Sequence, residues 1–206
     1  MLFDRRILIA LCFVGTMAAQ PLVQIQPGPA DIAAAGIKLA AINTPEHATK
    51  VAEIMGDDAN LLAPLLPYCV LLVNGSTKKL RGIGIFFRWE NPEIAPRAYG
   101  LILSRGLDPE YSLRLPLPGE IKIFTPSPSA NGYLSIPPPR RRQPFSGSTV
   151  TMATSFQDAL QQDITRLSKY TNFRASVDGV LFEDYLYVGL SNVFGMLQRD
   201  NPEIHR

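Results

Sequence analysis

Tyr68-Cys69-Val70-Leu71-Leu72-Val73-Asn74-Gly75-Ser76-Thr77-Lys78-Lys79, running on into Leu80-Arg81-Gly82-Ile83-Gly84-Ile85-Phe86-Phe87-Arg88-Trp89, is the stretch that decides the fold class. Its first six residues are apolar or aromatic throughout, the pattern of a strand buried on both faces. Asn74-Gly75 is a turn pair, extended by residues 76–79. Beyond the turn the pattern has a period of two. Ile83, Ile85, Phe87 and Trp89 take one face, and Gly82, Gly84, Phe86 and Arg88 take the other. That alternation predicts a half-buried strand over 80–89. The two glycines strip side chains from its second face, so another backbone or a bulky aromatic is expected to press there.

Similar signals extend outward from this hairpin. Strands are predicted over 97–104 and over 110–115, where Tyr111, Leu113 and Leu115 alternate with Glu110, Ser112 and Arg114. Pro118-Gly119 turns the chain into a strand over 120–124, and Asn131-Gly132 turns it into one over 133–136. A hairpin is predicted over 173–188, with turns available at Asp178-Gly179 or Glu183-Asp184, and a short strand over 37–42.

Helices punctuate the strands. Thr44 reads as an N-cap, with Pro45 in the first turn and Glu46 complementing the dipole. Ala48, Val51, Ala52 and Met55 then share a face, and Gly56 ends the helix. Asp57-Asp58 cap a second short helix through Leu62. Thr154 or Ser155 caps a longer helix to about residue 170, striped by Phe156, Leu160, Ile164 and Leu167. Ser191 caps a last one to about residue 199.

The expected fold class is therefore α+β, mainly β. An antiparallel β-sandwich, Ig-like or related, spans 37–153, with an inserted helix at 45–55 and a Pro/Arg-rich loop at 137–144. A C-terminal helix-hairpin-helix segment over 154–206 packs on it, and residues 19–36 form a flexible lead-in. Eight of the 18 prolines fall between Pro116 and Pro144, which suits loops and excludes long helices there.

The N-terminus predicts export. Arg5 and Arg6 precede an apolar run over 7–14, and Gly15-Thr16-Met17-Ala18-Ala19 supplies the small residues of a cleavage site. Cutting after Ala18 places Thr16 at the −3 position. The run is too short to span a bilayer, which needs about 20 apolar residues, so no stable membrane anchor is expected after processing. Leu11 before Cys12 is too large for lipoprotein processing. Export into periplasm or medium removes Cys12 and leaves Cys69 as the one thiol. No intramolecular disulfide can then form. A Cys69-linked dimer is the remaining covalent option, and the apolar run around Cys69 argues for an inert buried thiol instead. Without residues 1–18, the charge falls to +1, which gives no global attraction to nucleic acid.

Leu72-Val73-Asn74-Gly75-Ser76 with Ile83 and Arg88-Trp89 forms one hairpin motif. Ser176-Val177-Asp178-Gly179-Val180-Leu181-Phe182-Glu183-Asp184 with Val188-Gly189 forms another. The pair resembles a group of uncharacterised secreted proteins of acidobacterial type, over about half of the mature chain. The resemblance implies secretion and a strand-rich fold, and it carries no activity or functional residue. Tyr185 stands where those proteins usually have glycine.

Motifs that carry chemistry are sparse. Ser76-Thr77-Lys78-Lys79 fits S-x-x-K, but it lies in a turn and has no K-T-G partner motif. His47 and His205 have no neighbouring ligands, so neither metal nor other cofactor is expected. Asp57-Asp58, Asp108 with Glu110, and Glu183-Asp184 are carboxylate pairs that caps and turns explain. A glycosidase would need two carboxyls across a cleft. Asn74-Gly75-Ser76 formally matches a glycosylation acceptor, and the turn explains it. Pro137-Pro138-Pro139-Arg140-Arg141-Arg142 favours an extended segment that presents Arg140, Arg141 and Arg142 to solvent, a candidate contact for an anionic partner.

The sequence thus points to a secreted or periplasmic, non-enzymatic module that binds a protein or envelope component. The rival is a small secreted hydrolase whose carboxylates meet only in the fold.

Overall fold

A computed structural model describes residues 22–91, 94–104, 115–127, 130, 131, 134, 149–200 and 202–206. Among these, 38% are helical and 34% lie in strands. The class is therefore α+β, with helix and strand nearly balanced where the sequence led us to expect mainly β.

The apolar run of residues 70–73 becomes β3 (Val70–Asn74), the middle strand of a three-stranded antiparallel sheet. It is flanked by β2 (Ile37–Ala41) and β6 (Ile121–Phe124), and Val70, Leu71 and Leu72 are buried, so both of its faces are apolar. The alternating stretch becomes β4 (Leu80–Asn91), which does not fold back on β3 as a hairpin: the Asn74-Gly75 turn carries the chain into a second sheet, where β4 pairs antiparallel with β5 (Ile94–Ser104) on one side. On its other side runs β7 (Thr171–Phe182), which pairs along its far edge with β8 (Tyr187–Gly189) and, in parallel, with β1 (Gln24–Ile25). These five strands form the second sheet.

Ile83, Ile85, Phe87 and Trp89 are buried, as the alternation requires. They join β3, Phe173, Ala175, Val177 and Leu160 in one core that draws on both sheets. Tyr68 meets Phe173 edge-on at 4.9 Å, and Trp89 lies 5.8 Å from Tyr170, so aromatic rings fill one end of that core. Cys69 is buried and donates to the Leu65 carbonyl at 3.3 Å; burial pushes its thiol up to about 12. Burial thus disfavours the thiolate that disulfide exchange requires.

Five local expectations are corrected. The lead-in is ordered from Leu22 onward: β1 and α1 (Ala30–Ala34) form there because Val23 and Ile32 are buried. Thr44 does not cap a helix. Its hydroxyl donates back to the Ala41 carbonyl at 2.6 Å, a 3-10 turn over Pro45–His47 follows, and α2 is Ala48–Met55. Gly56 does end α2, with φ +57°.

Of the strand expected over 133–136 only Leu134 is among the described residues, and it lies in helix, as do Ala130 and Asn131. Ser127 is the reason: its hydroxyl accepts the Ala130 N–H and its carbonyl accepts the Asn131 N–H, an N-cap arrangement. Asn131 is no turn residue either. Its amide clamps both backbone groups of Thr125, at 2.9 and 2.6 Å.

The helix expected from 154 or 155 begins at Thr149 (α4, Thr149–Leu167), and α5 is Ser191–Asp200; a four-residue α3 (Ala59–Leu62) sits between 3-10 turns. Of the two turns offered for the C-terminal hairpin, the one at Glu183-Asp184 forms, and Asp178-Gly179 lies inside β7. Residues 1–21, the expected strand over 110–115 apart from Leu115, and Arg140, Arg141 and Arg142 lie outside the described residues.

Candidate functional site

β7 shows why one face of its sheet stays open. Phe173, Ala175 and Val177 point into the core, so Arg174, Ser176 and Asp178 stand on the opposite side. On β4 the same side carries Gly84, Phe86 and Arg88. Register then sets the neighbours: Arg88 faces Arg174, Phe86 faces Ser176, and Gly84 faces Gly179. The pairing slips between Gly84 and Ile85, which leaves Asp178 without an opposite number on β4.

These residues floor a cleft of about 530 Å³, lined also by Gln26, Pro27, Gly28, Pro29, Ala175 and Leu190. That volume lies within the range of ligand pockets, about 300–1,000 Å³. Its side wall is the segment before α1. The Gln26 N–H donates to the Ala175 carbonyl at 2.8 Å, and Gly28 packs so tightly on the Val177 carbonyl that no Cβ would fit. Pro27 and Pro29 stiffen the wall on either side. At the far end the Leu190 N–H donates to the Asp178 carbonyl at 2.9 Å, fixing exposed Leu190 on the rim.

The electrostatics run along the strands. Two guanidinium groups at directly opposed positions repel, and like charges so placed cost stability. Glu90 offsets Arg174 at 4.0 Å and accepts from Asn172 at 2.6 Å, whereas among the described residues no ion pair reaches Arg88. Asp178 marks the other end. One of its oxygens accepts from the Ser176 hydroxyl at 2.8 Å. The cleft is thus positive at one end, acidic at the other, with Phe86 between.

The motifs singled out from the sequence lie elsewhere. Ser76 donates to the Asn74 side chain at 2.6 Å, and Lys79 lies 3.6 Å from Glu183, so S-x-x-K is divided between a turn and a surface ion pair. Asn74 is fully buried and saturated. Its Nδ2 donates to the carbonyls of Lys78 and Pro116 at 3.1 Å, and its Oδ1 accepts from Ser76, which leaves no atom for a glycan.

Glu183 and Asp184 face Lys79 and Lys78; the Lys78–Asp184 contact is 2.5 Å. Asp57 and Asp58 lie in the turn after α2, and Asp108 and Glu110 lie outside the described residues. His47 neighbours Glu46 at 2.9 Å, and His205 belongs to the C-terminal strand-like tail beside Leu186. Among the described residues no three His, Cys, Asp or Glu side chains gather to hold a metal, and no helix is long and apolar enough to cross a membrane.

Sequence reasoning placed Arg88 on the second face of its strand but did not single out Arg88, Arg174, Ser176 or Asp178 as a group. The pairing of strands 90 residues apart brings them together. Compared with known proteins, the chain matches no family model, no curated protein and no solved structure.

Proposed function

We propose that this chain is an exported, non-enzymatic binding module, secreted or periplasmic, that takes a protein or envelope component in the cleft over β4 and β7. The observation that carries the reading is the opposition of Arg88 and Arg174 on an open face. Two such cations gain from an anionic group set between them. The shared core of the two sheets supports reading them as the halves of a sandwich. The hydrolase reading finds less support. Asp178 is the one carboxylate among the cleft's described lining residues, and Glu183 and Asp184 are engaged by lysines. Arg140, Arg141 and Arg142 form a second proposed contact, for an anionic envelope polymer.

Isotope-labelled mature chain, recovered by export and starting at Ala19, provides the test. It is titrated with inorganic phosphate, an acidic polysaccharide and short peptides, and turnover is measured on ester, peptide and glycoside substrates. Backbone shifts confined to Phe86, Arg88 and residues 174–178, without turnover, are expected. Turnover abolished by Asp178→Asn, or shifts that never involve these residues, would overturn the reading.

A further inference from the structure

We infer that the cleft is built for a short zwitterion of the oligopeptide class, its carboxylate held by Arg88 and Arg174 and its ammonium by Asp178. This inference rests on the cleft being the binding site and goes on to name its ligand.

The argument is one of charge order and length. Arg88, Arg174 and Glu90 together leave one positive charge at one end of the cleft, and Asp178 leaves one negative charge at the other. A multivalent anion would satisfy the arginines and be repelled by Asp178. A ligand with one charge of each sign satisfies both ends. Guanidinium forks suit a carboxylate in particular, because both are planar and can share two hydrogen bonds.

Length agrees with this. Arg174 and Asp178 are four strand residues apart, about 13 Å at roughly 3.3 Å per residue, and the bulge at Asp178 shortens the span. An extended tri- or tetrapeptide covers about 10–14 Å. Between the ends, the Phe86 ring offers an apolar surface for side chains. The Ser176 hydroxyl oxygen, whose proton goes to Asp178, remains an acceptor on the floor, and the exposed residues Gln26 and Gly28 line one side. The segment 26–29 is held by its contacts with Ala175 and Val177, so the wall exists before any ligand arrives.

The test uses trialanine in three forms (free, N-acetylated and C-amidated) against the full mature chain, by calorimetry and by shift mapping. Free trialanine is expected to bind, and each blocked form to bind at least about tenfold more weakly. Arg88→Gln should erase the penalty for amidation, and Asp178→Asn the penalty for acetylation. If a variant fails to fold, the three forms on the unmodified chain still decide the matter.

Equal binding of free and blocked peptides at these residues would overturn the zwitterion while leaving a binding cleft. So would inorganic phosphate binding there as tightly as trialanine. Absence of trialanine binding up to about 10 mM would overturn it as well.

Discussion

The phenol of Tyr187 occupies the space beside Gly179 in which a side chain would have to stand. A Cβ at residue 179 would collide first with the Tyr187 phenol oxygen and would lie 2.8 Å from two of its ring carbons, and the phenol donates to the Leu190 carbonyl at 3.1 Å. Burial accordingly pushes the Tyr187 hydroxyl up to about 12. The ring closes β8 onto β7 where β4, β7 and β8 align Gly84, Gly179 and Gly189. Gly179→Ala must displace that ring, an overpacking that costs about 1–3 kcal/mol. Urea unfolding of the variant should show the loss, and Gly179→Ala combined with Tyr187→Phe should recover only part of it, because the closest clash, with the phenol oxygen, is removed while the ring carbons remain.

Tyr185 adopts φ +64° in the β7–β8 turn. Left-handed backbone costs a side chain about 1–2 kcal/mol. The Arg81 guanidinium sits 4.2 Å over the Tyr185 ring, a contact worth about 0.5–1 kcal/mol that partly offsets the strain. Tyr185→Ala keeps the strain and loses the contact, so its Tm should fall. Tyr185→Gly loses the contact but relieves the strain, and its Tm should lie above that of the alanine variant.

Asn74 fastens the β3–β4 turn to Pro116, through a side chain with no exposed atom. Asn74→Ala leaves the buried Pro116 carbonyl without its partner, whereas the Lys78 carbonyl is exposed and keeps the Ser76 hydroxyl. At about 1–3 kcal/mol for a buried group left unsatisfied, the variant should lose that much in denaturant titration. Expressed in a host that glycosylates Asn-x-Ser sites, the folded protein should show by intact mass no glycan at Asn74.

The Lys78 ammonium, hydrogen-bonded to Asp184, holds that carboxyl below its ordinary value. A carboxyl depressed by folding stabilises above its unfolded pKa, near 3.9, and loses that contribution as pH falls through the lower folded value. Both side chains are about half exposed, so the pair is worth about 0.2–1 kcal/mol. Lys78→Ala should therefore fall further below the parent near about pH 7 than near about pH 2, where only its contact with the Phe182 ring, 5.7 Å away, is lost. Parallel urea titrations at the two pH values check this.

The legible part of the fold was the part written in local periodicity. The unbroken apolar run at residues 70–73 required a central strand, and alternation over 80–89 fixed which of Ile83 and Phe86 would be buried. Gly56, with its positive φ, marked a helix end. Capping residues were less readable, because the same side chain can serve either direction. Thr44 turned back to Ala41, whereas Ser127 capped a helix that the Asn131-Gly132 pair had disguised as a turn. Asp178-Gly179 had the composition of a hairpin turn and became a bulge, because Gly179 was needed beneath Tyr187.

The sequence by itself determined a turn at Asn74-Gly75, a hairpin over residues 173–188, the burial of one face of β4, and a cysteine in an apolar run. These follow from nearest-neighbour stereochemistry and from the cost of leaving apolar side chains in water. Only the tertiary structure decided that Arg88 would meet Arg174 and that Asp178 would stand at the other end of the same cleft. That pairing is a matter of register between strands far apart in the chain. A slip of one residue would have sent every one of these side chains to the other face.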